Sequence, residues 1–338
     1  MLKRRLFTVA KYGVSLGLLA LIIVRADISG FATTIKDVNV LLFMVAMLIR
    51  AMNMLVRSYK WQILLSVHGS TLSLSRIQSI NYMSLFFNNF FLGSIGGDAF
   101  RIYSTIKYSN TKGGAASAVI MERATGLFMA LAVVLVLGTA FLLSAQDLIT
   151  ANLIIALSLL GVLGISVILA WLKYSAGISG LTFLKRIPRA RALSEDLATS
   201  MRAYRNHRRI VLTSLGLSLL YHIVNSFVVY FVALAANANV SVLDVMLITP
   251  LVAMLIMIPI SVNGIGIQEG SYVFYLEQVG VAGPAALLTA VLARLGLFIF
   301  SLIGGLLLLL QFIGRHRKPA GARLEGLPGN RSTTAEGG

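Results

Sequence analysis

The sequence contains no cysteine, so disulfides, thiolate metal sites and thiol nucleophiles are excluded. It is also poor in acid: 12 Asp and Glu stand against 29 Lys and Arg, for a formal net charge of +17. Only four histidines occur, His68, His207, His222 and His316; they lie far apart and form no HExxH-like pair, so no metal or other cofactor is expected. Charge of either sign makes up 12% of the chain, against 57% hydrophobic residues, and several apolar runs approach the roughly 20 residues that cross a bilayer core. In a soluble protein this basic excess points to nucleic acid. Here the basic residues gather in short connections between apolar runs, where anionic lipids of the cytoplasmic leaflet attract them, and no nucleic-acid partner is expected. The chain reads as an all-α polytopic membrane protein.

Eight apolar segments occur, at about 6–24, 39–56, 78–97, 115–143, 151–172, 210–236, 243–260 and 285–312. The first resembles a secretory signal, but its apolar core exceeds the usual roughly 7–15 residues and no A-x-A-like site follows, so it is read as an uncleaved span. If all eight crossed, the basic connection with Arg101, Lys107 and Lys112 would face outward. If the third and seventh instead dip in and return, every strongly basic connection becomes cytoplasmic, as do both termini. The expectation is therefore about six full spans plus two re-entrant segments, in a plasma (inner) membrane. The composition of the two dips agrees. The third segment carries Asn81, Asn88 and Asn89 and ends in Gly93, Gly96 and Gly97; the seventh carries Pro250 and Pro259 and runs into "SVNGIGIQEG". Broken backbone at membrane depth survives only where protein or a wet cavity satisfies it. The alternative is a pair of ordinary kinked spans.

The glycine and acidic motif occurs twice. An offset of 171 residues places Glu269 on Asp98, Gly264 on Gly93 and Arg294 on Arg123, and Tyr221 and Asn225 opposite Arg50 and Met54. Units of about 39–143 and 210–312 then run in opposite senses, an inverted repeat of the kind that places a transport site between two halves. Within these units, Arg50 follows ten apolar or small residues and Asn53 and Arg57 share its helical face, although Arg57 is also placed to snorkel beside Lys60 and Trp61. Glu122, Arg123 and Arg294 also lie well inside apolar segments. Intramembrane charge is expensive and marks function by default; the competing explanation is buried ion pairs, Asp98 or Glu122 with Arg123 and Glu269 with Arg294, that only fix packing. No Walker loop, G-x-S-x-G elbow or nucleophile accompanies these residues, so the chain is not expected to be an enzyme.

"NNFFLGSIGGDAFRIY", then "ASAVIMERATGLF", then "PISVNGIGIQEGSYVF" and an arginine-bearing last span resemble the lysylphosphatidylglycerol synthase transmembrane-region family, also described as flippase-like, over about residues 8–314. The resemblance implies a flippase-like transmembrane domain at 1–314; the tail at 315–338, too short for an aminoacyltransferase domain, is rich in Gly, Pro and charge and is expected to be disordered and cytoplasmic. The resemblance carries the family's motif residues onto Gly96, Gly97, Asp98 and Arg101, onto Glu122 and Arg123, and onto Gly264, Gly266 and Glu269. With Arg50, Asn53, Asn88, Asn89, Asn263 and Arg294 these make the expected substrate site. Arg50, Arg123 and Arg294 are expected to hold the phosphate of an anionic phospholipid or a polyprenyl-phosphate-linked lipid, with Asp98, Glu122 and Glu269 balancing them when the site is empty. The expected function is lipid translocation. The alternative is a membrane component that presents the lipid to a partner glycosyltransferase or aminoacyltransferase.

Overall fold

The computed structural model describes residues 28–92, 94–144, 188–257 and 261–316, with positions 13, 15 and 17 in isolation. Most of the expected first segment, the whole of the fifth, Gly93, Pro259 and the tail beyond 316 lie outside the described residues. Among the described residues there are helices and no strand. They are α1 (Ile28–Thr34), α2 (Val40–Ser66), α3 (Leu74–Phe87), α4 (Ser94–Thr105), α5 (Lys112–Ser144), α6 (Pro188–Ala203), α7 (Arg208–Ala235), α8 (Val242–Met257), α9 (Ile267–Gln278) and α10 (Gly283–His316).

Four of them, α2, α5, α7 and α10, are long and apolar enough to cross a membrane. In α2 the usual amphipathic order is reversed. Leu41, Met44, Leu48, Met52, Leu55 and Tyr59 make one exposed apolar face at three- and four-residue spacing, while Arg50, Asn53, Ser58 and Lys60 are buried. The Asn39 side chain caps this helix by accepting from Leu42 N–H at 3.1 Å.

Between the long helices lie two pairs of short ones. The 14 residues of α3 and 12 of α4 rise about 21 and 18 Å, and the 16 of α8 and 12 of α9 about 24 and 18 Å. None reaches the roughly 30 Å of a hydrocarbon core. Asn110 N–H donates to the His68 carbonyl at 3.0 Å, so the chain leaves α2 and enters α5 at the same end. At the opposite end, Asn39 N–H donates to the Ala235 carbonyl at 2.9 Å, and Ala238, Val240 and Val281, flanking the second short pair, share one core cluster.

The breaks within the short pairs have distinct causes. After α3 the chain makes one π turn, Asn88–Leu92, and Gly97 N–H then donates to Asn88 Oδ1 at 2.7 Å. A Cβ on Gly97 would overlap that oxygen and the Ser84 carbonyl. Before α9 the chain passes through positive φ at Asn263 (50°), Gly264 (71°) and Gly266 (84°), a run that side chains with a Cβ resist.

Helix α2 packs most extensively on α7, and α10 crosses α3. At that crossing Gly304 lets the backbones meet: a Cβ there would lie on the Tyr82 carbonyl, and one on Gly305 would lie 2.7 Å from the Phe86 ring. One core cluster joins α2, α3, α5 and α6 around the fully buried Trp61, Leu64 and Met83, and another joins α7 to α10 around Val252, Tyr272 and Leu276.

The helices outrun the expected segments where charges had suggested loops. Arg57 and Lys60, expected in the 57–77 connection, belong to α2, which runs to Ser66. Arg101, expected in the 98–114 connection, is 1% exposed inside α4. In each case a carboxylate or carbonyl from α5 offsets the cation, so helix continues where composition alone predicts an end.

Candidate functional site

Two adjoining cavities run through the bundle, meeting at Tyr221, Ala253 and Ile256, which line both. The first, of about 290 Å³, is lined by Arg57, Lys60, Arg101, Glu122, Arg123 and His222, with Ser218 and Tyr221 of α7 and apolar residues of α5 and α8. Glu122 is its centre. One carboxylate oxygen accepts from Arg101 Nη2, the other accepts from Arg57 Nε at 3.2 Å, and the Glu122 carbonyl accepts from Lys60 Nζ at 2.8 Å. Arg101 also lies over the Trp61 ring at 4.0 Å. Arg57 is therefore not snorkelling to an interface; the Glu122 carboxylate of another helix holds it inside, and the carbonyl of the same residue holds Lys60.

Beside this cluster, Arg123 Nε donates to Asp98 Oδ2 at 2.6 Å, and Asp98 also lies 3.7 Å from Arg101. Of the two expected carboxylate partners for Arg123, the fold uses Asp98. Gly96 and Gly97 are buried in the first turn of α4 just ahead of it.

The second cavity, of about 230 Å³, is lined by Arg50, Asn88, Asn89, Tyr221, Asn225, Thr249, Asn263, Gln268, Tyr272 and Arg294. Arg294 Nε donates to Glu269 Oε1, and its two terminal nitrogens donate to the carbonyls of Asn263 (3.3 Å) and Gly264 (3.1 Å). The other Glu269 oxygen accepts from Gly266 N–H at 2.7 Å, which fastens the strained turn to the start of α9. Asn263 Nδ2 donates to Asn89 Oδ1, so the breaks of the two short helix pairs touch across the cavity.

The two ion pairs match. Asp98 and Arg123 are 25 residues apart, as are Glu269 and Arg294, and each joins a short helix to the next long one. Arg50 differs: it is 9% exposed, its Nε meets no acceptor, and no carboxylate among the described residues pairs with it. The expected balancing of Arg50 by Asp98, Glu122 or Glu269 is not what the fold does, because each of those carboxylates lies on another arginine. Gly296 of α10 lies against this part of α2: a Cβ there would come within 2.7 Å of the Met47 side chain, and at 3.4 Å would do no more than touch Arg50 Nε. Asn53, also expected at the site, is buried on the same helix with Oδ1 unpartnered among the described residues, but lines neither cavity.

Sequence reasoning missed Lys60, Thr249, Gln268 and Tyr272. For Lys60 the three-residue step from Arg57 is a usable signal, and for Gln268 its place beside Glu269; Thr249 and Tyr272 carry none. Compared with known proteins, the chain matches the model of one family, described as the lysylphosphatidylglycerol synthase TM region, over residues 8–305. No curated protein and no solved structure matches it.

Proposed function

Starting from the fact that the chain belongs to the lysylphosphatidylglycerol synthase transmembrane-region family, we propose that this multi-pass membrane protein moves an anionic lipid between leaflets of the plasma membrane. The observation that carries this reading is Arg50: a guanidinium at the wall of an intramembrane cavity, without a counter-ion among the described residues, is a costly arrangement that an incoming phosphate relieves. The lipid's phosphate engages Arg50 while its tails stay in the bilayer. Arg123 and Arg294, already matched by Asp98 and Glu269, hold the short helices against their long neighbours and border the path.

The arrangement of the short pairs supports two re-entrant hairpins entering from opposite faces. The first starts and ends beside His68 and Asn110, the second beside Ala238 and Val281 at the far end of α2 and α7. The matched 25-residue ion pairs support reading 39–143 and 210–312 as inverted repeats, with the cavities between them. Rocking of one repeat against the other, parting Asn89 from Asn263, exposes the cavities alternately. Both termini are cytoplasmic in this reading. The test is a leaflet-resolved assay with the purified chain in liposomes carrying labelled phosphatidylglycerol: the proposal requires movement well above that in protein-free liposomes, and equality with them overturns it.

A further inference from the structure

A third cavity, of about 480 Å³, is larger than either of the two inside the bundle and shares no lining residue with them. It sits where α3 and α4 meet the last turns of α10, at the end of the bundle that carries His68 and Asn110. Its lining is graded along all three helices. On α3, Arg76 in the first turn is exposed, while Ile80 and Met83, one and two turns further in, are buried. On the α4 side Phe100 lies deepest, Tyr103 and Ser104 follow, and Lys107, in the 3₁₀ turn Ile106–Tyr108, is exposed at the end. Beyond its crossing with α3 at Gly304, α10 brings Leu308 and then Gln311 and Phe312 to the same wall.

Cationic and polar groups thus collect at the end of the bundle and apolar ones towards the membrane interior, which is the order of a phospholipid's head group and tails. The two cations are held ready for an anion. Lys107 Nζ lies over the Tyr108 ring at 4.9 Å, a contact that steadies the ammonium without neutralising it. Arg76 stands where the positive end of the α3 dipole opposes a cation and favours an anion beside it. Tyr103 and Phe312 are largely exposed at the mouth, and the exposed Leu309 and Ile313 continue the apolar surface along α10. The volume falls within the roughly 300–1,000 Å³ of small-molecule sites, enough for a head group and the first carbons of its tails, with the remainder lying on α10.

We propose that this cavity is a binding site for an anionic glycerophospholipid of the adjoining leaflet. The lipid's phosphate lies between Arg76 and Lys107, and its ester ends pack on Ile80, Met83, Phe100 and Leu308. Bound there, it ties the first short helix pair to α10 at the open end of their crossing. The site is separate from the Arg50 path and stands whether or not the chain translocates lipid.

The test is photolabelling of the full chain in liposomes with phosphatidylglycerol or phosphatidylcholine of identical tails, each carrying a diazirine near the ester end of one tail, read by peptide mass spectrometry. Peptides holding Met83 and Leu308 should be labelled about tenfold more by the phosphatidylglycerol probe, the factor one charge-assisted contact supplies. Arg76→Gln with Lys107→Gln, both at exposed positions, should erase that excess and leave the labelling of α2 unchanged; Arg76→Lys with Lys107→Arg should keep it. Glycerol phosphate at millimolar concentration should leave the excess intact, because it has no tails to bury. Equal labelling by the two probes overturns the proposal, as does an excess that survives the double Gln variant. Loss of the excess on adding glycerol phosphate also overturns it, in favour of a site for a soluble anion.

Discussion

Arg294 of α10 lies on the carboxylate of Glu269 in the first turn of α9, and the other oxygen of that carboxylate holds the N–H of Gly266. One acidic side chain thus ties a positive-φ turn, a short helix and a long helix together. Both partners are nearly buried, so Arg294→Gln strands a carboxylate and should cost about 3–5 kcal/mol. Glu269→Gln with Arg294→Gln removes both charges and should recover most of that loss. Thermal melts in detergent check this; a double mutant as unstable as the single would show that the pair is not the brace described.

Glu122 and Asp98 should respond differently to loss of charge. Glu122→Gln leaves the half-buried Arg57 without its carboxylate and the buried Arg101 with Asp98 alone at 3.7 Å, and should destabilise by about 3–5 kcal/mol. Asp98→Asn acts on Arg123, whose side chain is 39% exposed, and should cost about 1 kcal/mol or less. Comparable losses in denaturant titrations would contradict the assignment of Glu122 as the centre of the cluster.

Acid should loosen the turn after α2. His68 is buried there against Ser117 Oγ (2.8 Å) and edge-on to the Tyr204 ring. Burial lowers its pKa below the usual imidazole value, nearby His207 lowers it further, and Asp196 opposes this. The unfolded chain therefore takes up a proton near pH 6.5 that the folded chain refuses. Stability is complete above that pH and falls as pH drops towards the folded pKa, by at most about 1.4 kcal/mol per pH unit. Melting curves from pH 7.5 to 5 should show the decline, and His68→Gln should flatten it.

The absence of cysteine makes the topology directly testable. Single cysteines at Thr71 and Asn110 should react with an impermeant thiol reagent from the cytoplasmic side alone, and one at Asn237 from the other side. Labelling of Asn110→Cys from outside would remove the first re-entrant hairpin and, with it, the inverted repeat.

The crossing of α3 and α10 depends on the absence of a side chain. Gly304→Val places methyl groups where the Tyr82 carbonyl lies and should cost about 1–3 kcal/mol or prevent folding. Gly216→Val on α7, where a Cβ meets nothing within 4 Å, should be tolerated in the same melts.

Much of the site was legible because charge in an apolar run is conspicuous: Arg50, Glu122, Arg123, Glu269 and Arg294 declare themselves, and the 25-residue interval announces both ion pairs. The partners of Arg57 and Lys60 were not legible. They depend on Glu122, more than sixty residues away on another helix, so Lys60 read as part of a connection and Arg57, although placed on the helical face of Arg50, had no visible partner. For the same reason α2 and α4 were cut short: the basic residues that looked like ends are buried against α5. Thr249 and Tyr272 reach the cavity through helix packing alone, and neither periodicity nor motif marks them.

The central claim is that Arg50 receives the phosphate of a lipid in transit, and it is tested most directly by translocation with Arg50→Gln in liposomes containing labelled phosphatidylglycerol. The parent chain and a folded Glu269→Gln, Arg294→Gln double mutant serve as controls. The account predicts that Arg50→Gln inserts and melts like the parent but moves lipid no faster than protein-free liposomes, while the double mutant keeps substantial activity. An Arg50→Gln protein that translocates at the parental rate would contradict it.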